Sequence, residues 1–139
     1  MQSKDYPLPR VLSVRQPHAA AVFCAGKDVE NRSWRVPWPT PFKLWIHASG
    51  TNDPAWQRSP MAPALAAIPD EFRGLHGVLL GRVTVTAITR SSRSPWAILG
   101  LWHWVLADPR PLPRPLPLSG LLRIWPMEKA IRALYEEES

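Results

Sequence analysis

Cysteine is nearly missing from this chain: Cys24 is the single one, so no disulfide can close within it. Long apolar runs are missing as well. Charges and prolines interrupt every stretch before the ~18–20 residues that a membrane-crossing helix requires, which excludes a bilayer-spanning helix. The opening residues MQSKDYPLPR lack the apolar centre of a signal peptide, so the expectation is a cytoplasmic protein. The four histidines, at positions 18, 47, 76 and 103, form no i,i+4 pair and have no cysteine or carboxylate cluster at zinc spacing, so no structural metal is expected. The GxSxG, Walker and GxGxxG patterns are absent, which removes support for a serine hydrolase, an NTPase or a dinucleotide-binding domain.

What is present is an ordinary apolar share and an excess of positive charge. With 139 residues, 45% of them apolar, the chain can bury one core, and a single domain is the economical reading. Seventeen basic residues stand against eleven acidic ones, giving +6, a balance that concentrates polyanions around a protein. Thirteen of the basic residues are arginine, whose planar fork suits phosphate and base edges. Base composition in a GC-rich genome also raises arginine and proline, so charge alone does not choose the ligand.

Along the chain, residues 1–10 read as a proline-punctuated leader, and 11–139 as the single domain. A strand is expected over 11–14. Pro17 is placed to start a short buried helix that runs to Ala25 and stops at Gly26, with Cys24 a buried, inert thiol inside it. Residues 28–34 then alternate, which puts Asp28, Glu30, Arg32 and Trp34 on one face of an extended segment. A second strand over 42–47 follows a proline corner; Asp53-Pro54 offers a helix start; and 62–73 is broken by prolines into short helical pieces. Strands are expected over 77–88, with Gly81 at a bulge, and over 102–106. The alternating prolines of 108–117 favour an extended connection along an edge and argue against a central strand. Met127, Ala130, Ile131, Leu134 and Tyr135 fall at helical spacing behind Pro126, giving a closing amphipathic helix that frays over 136–138. Most of the eight tryptophans belong in the core. Short strands, proline turns and two or three helices without a βαβ rhythm indicate a small α+β fold around a bent sheet or barrel.

The run Leu12-Ser13-Val14-Arg15-Gln16-Pro17-His18-Ala19, followed by Gly26-Lys27-Asp28-Val29-Glu30-Asn31-Arg32-Ser33-Trp34, resembles the opening of the ASCH domain family, in which LS-x-x-QPWA precedes GxKxxExR. The likeness continues through 44–49, 77–83 and 105–125, and its version is that of transcription-coactivator ASCH domains and their bacterial relatives. The resemblance implies a six-stranded, PUA-like small mixed β-barrel flanked by short helices, with a cleft between the first helix and the GxKxxExR segment. It also implies RNA or single-stranded nucleic acid, or a modified nucleoside, as partner. Some bacterial members are amidohydrolases of N4-acetylcytidine, and a ribonuclease activity has been proposed for another, so the family contains binders and enzymes, and fold does not choose between them.

Residue by residue, Lys27 follows the glycine cap and can meet a phosphate or base carbonyl as a point charge, or act as a base once desolvated. Glu30 and Arg32 share a face and can pair with each other or offer a base an acceptor and a fork of donors. If the protein is an enzyme, Lys27 and Glu30 are its central pair. The threonine that the acetylcytidine hydrolases carry at the position of Glu30 is missing, which counts against their hydroxyl mechanism. Arg15 can reach ligand and Gln16 can cap the helix or read the base; Ser33, His47 and Ser49 border the expected cleft; Trp34 and Trp104 are candidates for base stacking. His18 replaces the family's tryptophan with a group that titrates near neutrality. No cofactor is called for, and a divalent ion enters only with phosphodiester cleavage.

Overall fold

The computed structural model describes residues 10–118. The leader up to Pro9 and the expected closing helix both lie outside the described residues. Five strands, β1 (Val11–Gln16), β2 (Val29–Arg32), β3 (Phe42–Asn52), β4 (Val78–Thr89) and β5 (Trp102–Pro117), form one sheet in the order β1-β3-β4-β5-β2. β1 pairs with β3 in parallel and every other pairing is antiparallel. The sheet curls into a half-barrel, and the helices α1 (His18–Cys24), α2 (Ala62–Ala66) and α3 (Asp70–Arg73) are short. The fold is therefore α+β; five strands are seen among the described residues where the family resemblance implies six.

Apolar alternation explains how the sheet closes on itself. Leu12 and Val14 of β1, Leu44 and Ile46 of β3, Val83 and Val85 of β4, and Trp104 and Leu106 of β5 all turn inward at spacing two and form one buried cluster. α1 lies against it through Ala19 and Val22, while Ala20 and Ala21 pack on a second cluster with Leu65, Ile68 and Trp96. Small side chains allow that close approach. Gly81 sits at a shift in register, as its sequence context predicts. A Cβ there would lie 2.5 Å from the Arg110 carbonyl oxygen and 2.8 Å from the Phe23 ring, so only glycine lets β5 and α1 close over β4.

Four expectations need correction. Residues 108–117 belong to β5 as a true strand, because among the described residues β2 pairs only with its first part, Trp102 to Val105, and the proline half has β4 on one side alone. There a missing N–H on the outer side deprives no partner of a bond. Pro17 precedes α1 instead of starting it, and His18 is its first residue. Cys24, the last helical residue, is exposed, and desolvation raises its thiol pKa, which keeps it protonated near neutrality. Asp53-Pro54 leads into a single 3₁₀ turn, Trp56–Arg58, where an α-helix start is expected. Of the seven described tryptophans, Trp45, Trp96 and Trp104 are buried, Trp38, Trp56 and Trp102 lean on the core clusters, and Trp34 stands exposed. Among the described residues no helix is long and apolar enough to cross a membrane.

Candidate binding cleft

The site is assembled by the turn from β1 through α1 into β2. Gln16 is wholly buried at the end of β1: its Oε1 accepts the Ala20 N–H at 3.0 Å, and its Nε2 donates to the carbonyls of Phe72 at 3.1 Å and Leu75 at 2.9 Å. The amide thus satisfies a free N–H at the helix start and ties α1 to the loop behind α3. At the other end the Ala21 carbonyl accepts N–H bonds from Ala25 and from Lys27, with Gly26 between them at φ +68. That left-handed residue turns the chain so that Lys27 stands two residues ahead of β2. Opposite, Asn31 holds the loop after β4: its Nδ2 donates to the Trp96 carbonyl at 2.9 Å and its Oδ1 accepts the Ile98 N–H at 2.8 Å. His103 fixes the same loop by donating from Nε2 to the Ile98 carbonyl at 2.7 Å and accepting the Ser92 N–H at Nδ1.

These elements enclose a cleft of about 250 Å³, with Arg15, His18, Lys27, Glu30, Arg32 and Asp53 among its walls. Lys27 and Glu30 are each only 6% exposed, which is rare for charged residues unless they are paired. Lys27 Nζ lies 3.5 Å from Glu30 Oε1, and Arg32 Nε lies 3.4 Å from Glu30 Oε2. Arg32 also donates from its terminal nitrogen to the Ser13 carbonyl at 3.2 Å. The Arg32 Nε–H is buried and has no hydrogen-bond partner, because its ion-pair separation from Glu30 lacks hydrogen-bonding geometry. The triad formally carries one more positive than negative charge, and it keeps donors and an acceptor unspent on the wall of an open cleft. Such a set can meet a ligand presenting both an acceptor edge and a donor.

A second polar pair, absent from the sequence-derived candidates, completes the cleft. His18 Nε2 lies 2.8 Å from Asp53 Oδ2, while Asp53 Oδ1 accepts the Ala55 N–H at 2.9 Å. Desolvation, then the charge of Lys27, lower the His18 pKa below its ordinary value, against the opposing pull of Asp53 and Glu30. For Asp53 desolvation works upward, but the Ala55 N–H, the bond and charge of His18, and the charge of Arg15 together hold the carboxyl below its ordinary value. The carboxylate accepts the Nε2–H, and the lowered pKa favours the neutral ring at neutral pH, with the lone pair on Nδ1, a buried atom without a partner. In the sequence this pair is visible only as an unusual residue in the family motif and a turn-forming Asp-Pro.

The structure gathers Arg15, Lys27, Glu30 and Arg32 on one cleft and leaves the other candidates elsewhere. Gln16 is spent on architecture, as described. His47 is buried and accepts from the Ser13 hydroxyl at Nδ1 while donating from Nε2 to the Leu118 carbonyl at 2.8 Å; desolvation lowers its pKa. It clamps the end of β5 to β3 and lies outside the cleft wall. Ser49 makes local bonds with Thr51, and Ser33 is exposed beyond β2. Trp104, 1% exposed, is a core residue; its register partner Glu30 reaches the cleft while the indole fills the barrel interior. Trp34 packs edge-to-face on Trp104 with centroids 5.3 Å apart, which leaves it half-exposed and outside the cleft. Among the described residues no three His, Cys, Asp or Glu side chains converge as a metal site. Against the known families and the curated proteins, the chain gives no match to any family model and none to any curated sequence.

Proposed function

We propose that this chain is an ASCH-type, PUA-like domain that binds nucleic acid, RNA first among candidates, by taking one unpaired or modified nucleobase into the cleft. The observation that carries the reading is the buried Lys27–Glu30 pair with the half-buried Arg32 and its unspent Nε–H, opening beside Arg15 onto the cleft. Burying Lys27 and Glu30 with Arg32 half-buried beside them is costly, and replacing such a set by apolar residues is often neutral or stabilising, so the arrangement is better explained by a ligand than by stability. Glu30 accepts from a base amine, Lys27 and Arg32 donate to ring or carbonyl acceptors, and the net charge of +6 supplies attraction for the backbone. The place of work on such ligands is the cytoplasm.

A second reading, hydrolysis of a modified nucleoside or of RNA, draws on the His18–Asp53 pair, a neutral imidazole oriented by a carboxylate beside Lys27 and Glu30. Titrating labelled single-stranded RNA and DNA into wild type and Lys27→Met at two salt concentrations, with a product assay on the same mixtures and on N4-acetylcytidine, separates the two. Salt-sensitive binding weakened about tenfold or more by the substitution, without product, is the expected result. Lys27-dependent product would make the cleft catalytic, and unchanged binding by the variant would remove it from recognition.

A further inference from the structure

The polar cleft does not end at His18 and Lys27. Five of its side chains, His18, Lys27, Asn31, Asp53 and Ile98, also border a second hollow of about 540 Å³. Its outer wall is of opposite character: Met61, Pro95, Trp96 and Leu99 are apolar, and Arg58 is the charged residue added at the rim. Leu99 is 95% exposed and Ile98 55% exposed, the two most exposed large aliphatic side chains among the described residues. They are adjacent, and the loop that displays them is pinned: both the N–H and the carbonyl of Ile98 are bonded, to Asn31 and to His103, and the Trp96 carbonyl is bonded to Asn31. A rigid loop that holds an aliphatic pair in water at the mouth of an apolar hollow is preorganised to cover a flat apolar ligand. Lys27 stands at the junction, with Nζ 6.0 Å from the Trp96 ring centroid while paired to Glu30 on its polar side.

We propose that this hollow is a second-base subsite, an inference that rests on the nucleic-acid reading of the polar cleft. One nucleotide places its base among Lys27, Glu30 and Arg32; the next base of the same strand lies in the apolar hollow against Met61 and the Ile98–Leu99 pair, with the buried Trp96 contributing only its exposed edge to the lining. The phosphate joining them passes Lys27 and Arg58. The unit recognised is thus two adjacent nucleotides of a single strand, the first read by its polar edge and the second held by its apolar face, with little demand on its identity.

The test uses the full chain, the four ribonucleoside 5′-monophosphates, and the 3′,5′-dinucleoside monophosphates (NpN) of the same bases, titrated against wild type and a Leu99→Ser variant, Leu99 bordering the hollow but not the polar cleft. The substitution is at a side chain that is 95% exposed and leaves the backbone bonds of the loop in place, so the fold is retained. Such an NpN dinucleotide has a single phosphodiester charge, less than the roughly −1.5 to −2 of a terminal phosphate, so tighter binding of the dinucleotide cannot come from charge. Wild type is expected to bind at least one dinucleotide about tenfold more tightly than its monophosphate, and the variant to lose that gain while keeping its affinity for the monophosphate. Equal affinity for the two ligands, retention of the gain by the variant, or persistence of the gain when the second nucleotide is abasic would overturn the subsite and leave the cleft reading standing. Failure of wild type to bind monophosphates, dinucleotides and longer strands alike would overturn both.

Discussion

Two sets of buried polar side chains sit a few residues apart in this fold and differ in how far their hydrogen-bonding capacity is used. Gln16, His47 and His103 are each fully enclosed, and every polar side-chain atom has a protein partner. Lys27, Glu30, Arg32 and His18 are also mostly withdrawn from solvent, yet the Arg32 Nε–H and His18 Nδ1 have no hydrogen-bond partner, and the ion pairs are long. Burial by itself therefore does not mark function. What sets Arg32 Nε and His18 Nδ1 apart is that they belong to the cleft wall, where a ligand can meet them, whereas Trp104 Nε1 and Arg73 Nε, equally without partners, belong to residues outside it.

The largest effect that could break this contrast belongs to the architectural set. Gln16→Leu strands the Ala20 N–H and the Phe72 and Leu75 carbonyls together, and should lower unfolding free energy by about 3–4 kcal/mol, read from urea denaturation. Next comes Glu30→Gln, which leaves the buried Lys27 and the half-buried Arg32 without their counter-charge, at a cost of about 2–3 kcal/mol. Lys27→Met keeps the Glu30–Arg32 pair and should cost about 1 kcal/mol or less, while its effect on ligand binding is the larger one. A Lys27→Met variant that unfolds as readily as Glu30→Gln would show that the triad is structural and collapse the distinction.

Acidification gives a weaker, graded effect shared by both sets. The folded-state pKa values of His18 and His47 lie below the ordinary 6.5, so the unfolded chain takes up protons first as pH falls. Stability should therefore decline from about pH 6.5 downward through the folded-state values, and decline again below about 3.8, where Asp53 is protonated in the unfolded chain before the folded one. His18→Gln and His47→Gln together should flatten the upper decline, measured as denaturation midpoints between pH 7.5 and 5; an unchanged slope would contradict the assignment. The smallest effect is expected at the surface. The Arg110–Asp108 pair has side chains half or more exposed, and Arg110→Ala should change stability by no more than about 0.5 kcal/mol.

Features set by near neighbours are legible in the sequence, and those set by distant contacts are not. The short helix closing at Gly26, the placement of Lys27 after it, and the common face of Glu30 and Arg32 depend on neighbours within a few residues. Propensity and period-two alternation therefore suffice to find them. The Gly81 irregularity is likewise announced by a glycine inside a strand pattern. By contrast, the fate of Gln16 is decided by carbonyls 56 and 59 residues away, that of His47 by Leu118, 71 residues away, and the His18–Asp53 pair spans 35 residues. A residue that could equally cap, read or support cannot be sorted until such partners are in place. The proline half of β5 misleads for a related reason. Proline forbids a ladder bond on the side it faces, and only the strand order shows that this side is open.

The most direct measurement of the central claim is a nitrogen–proton NMR titration of the chain with single-stranded RNA, following the Arg32 Nε–H and the ring nitrogens of His47 and His103 in one sample. The Arg32 Nε–H signal is expected to move as ligand fills the cleft while the His47 and His103 signals stay in place. A stationary Arg32 Nε–H under saturating RNA, with shifts confined to surfaces away from the cleft, would contradict it.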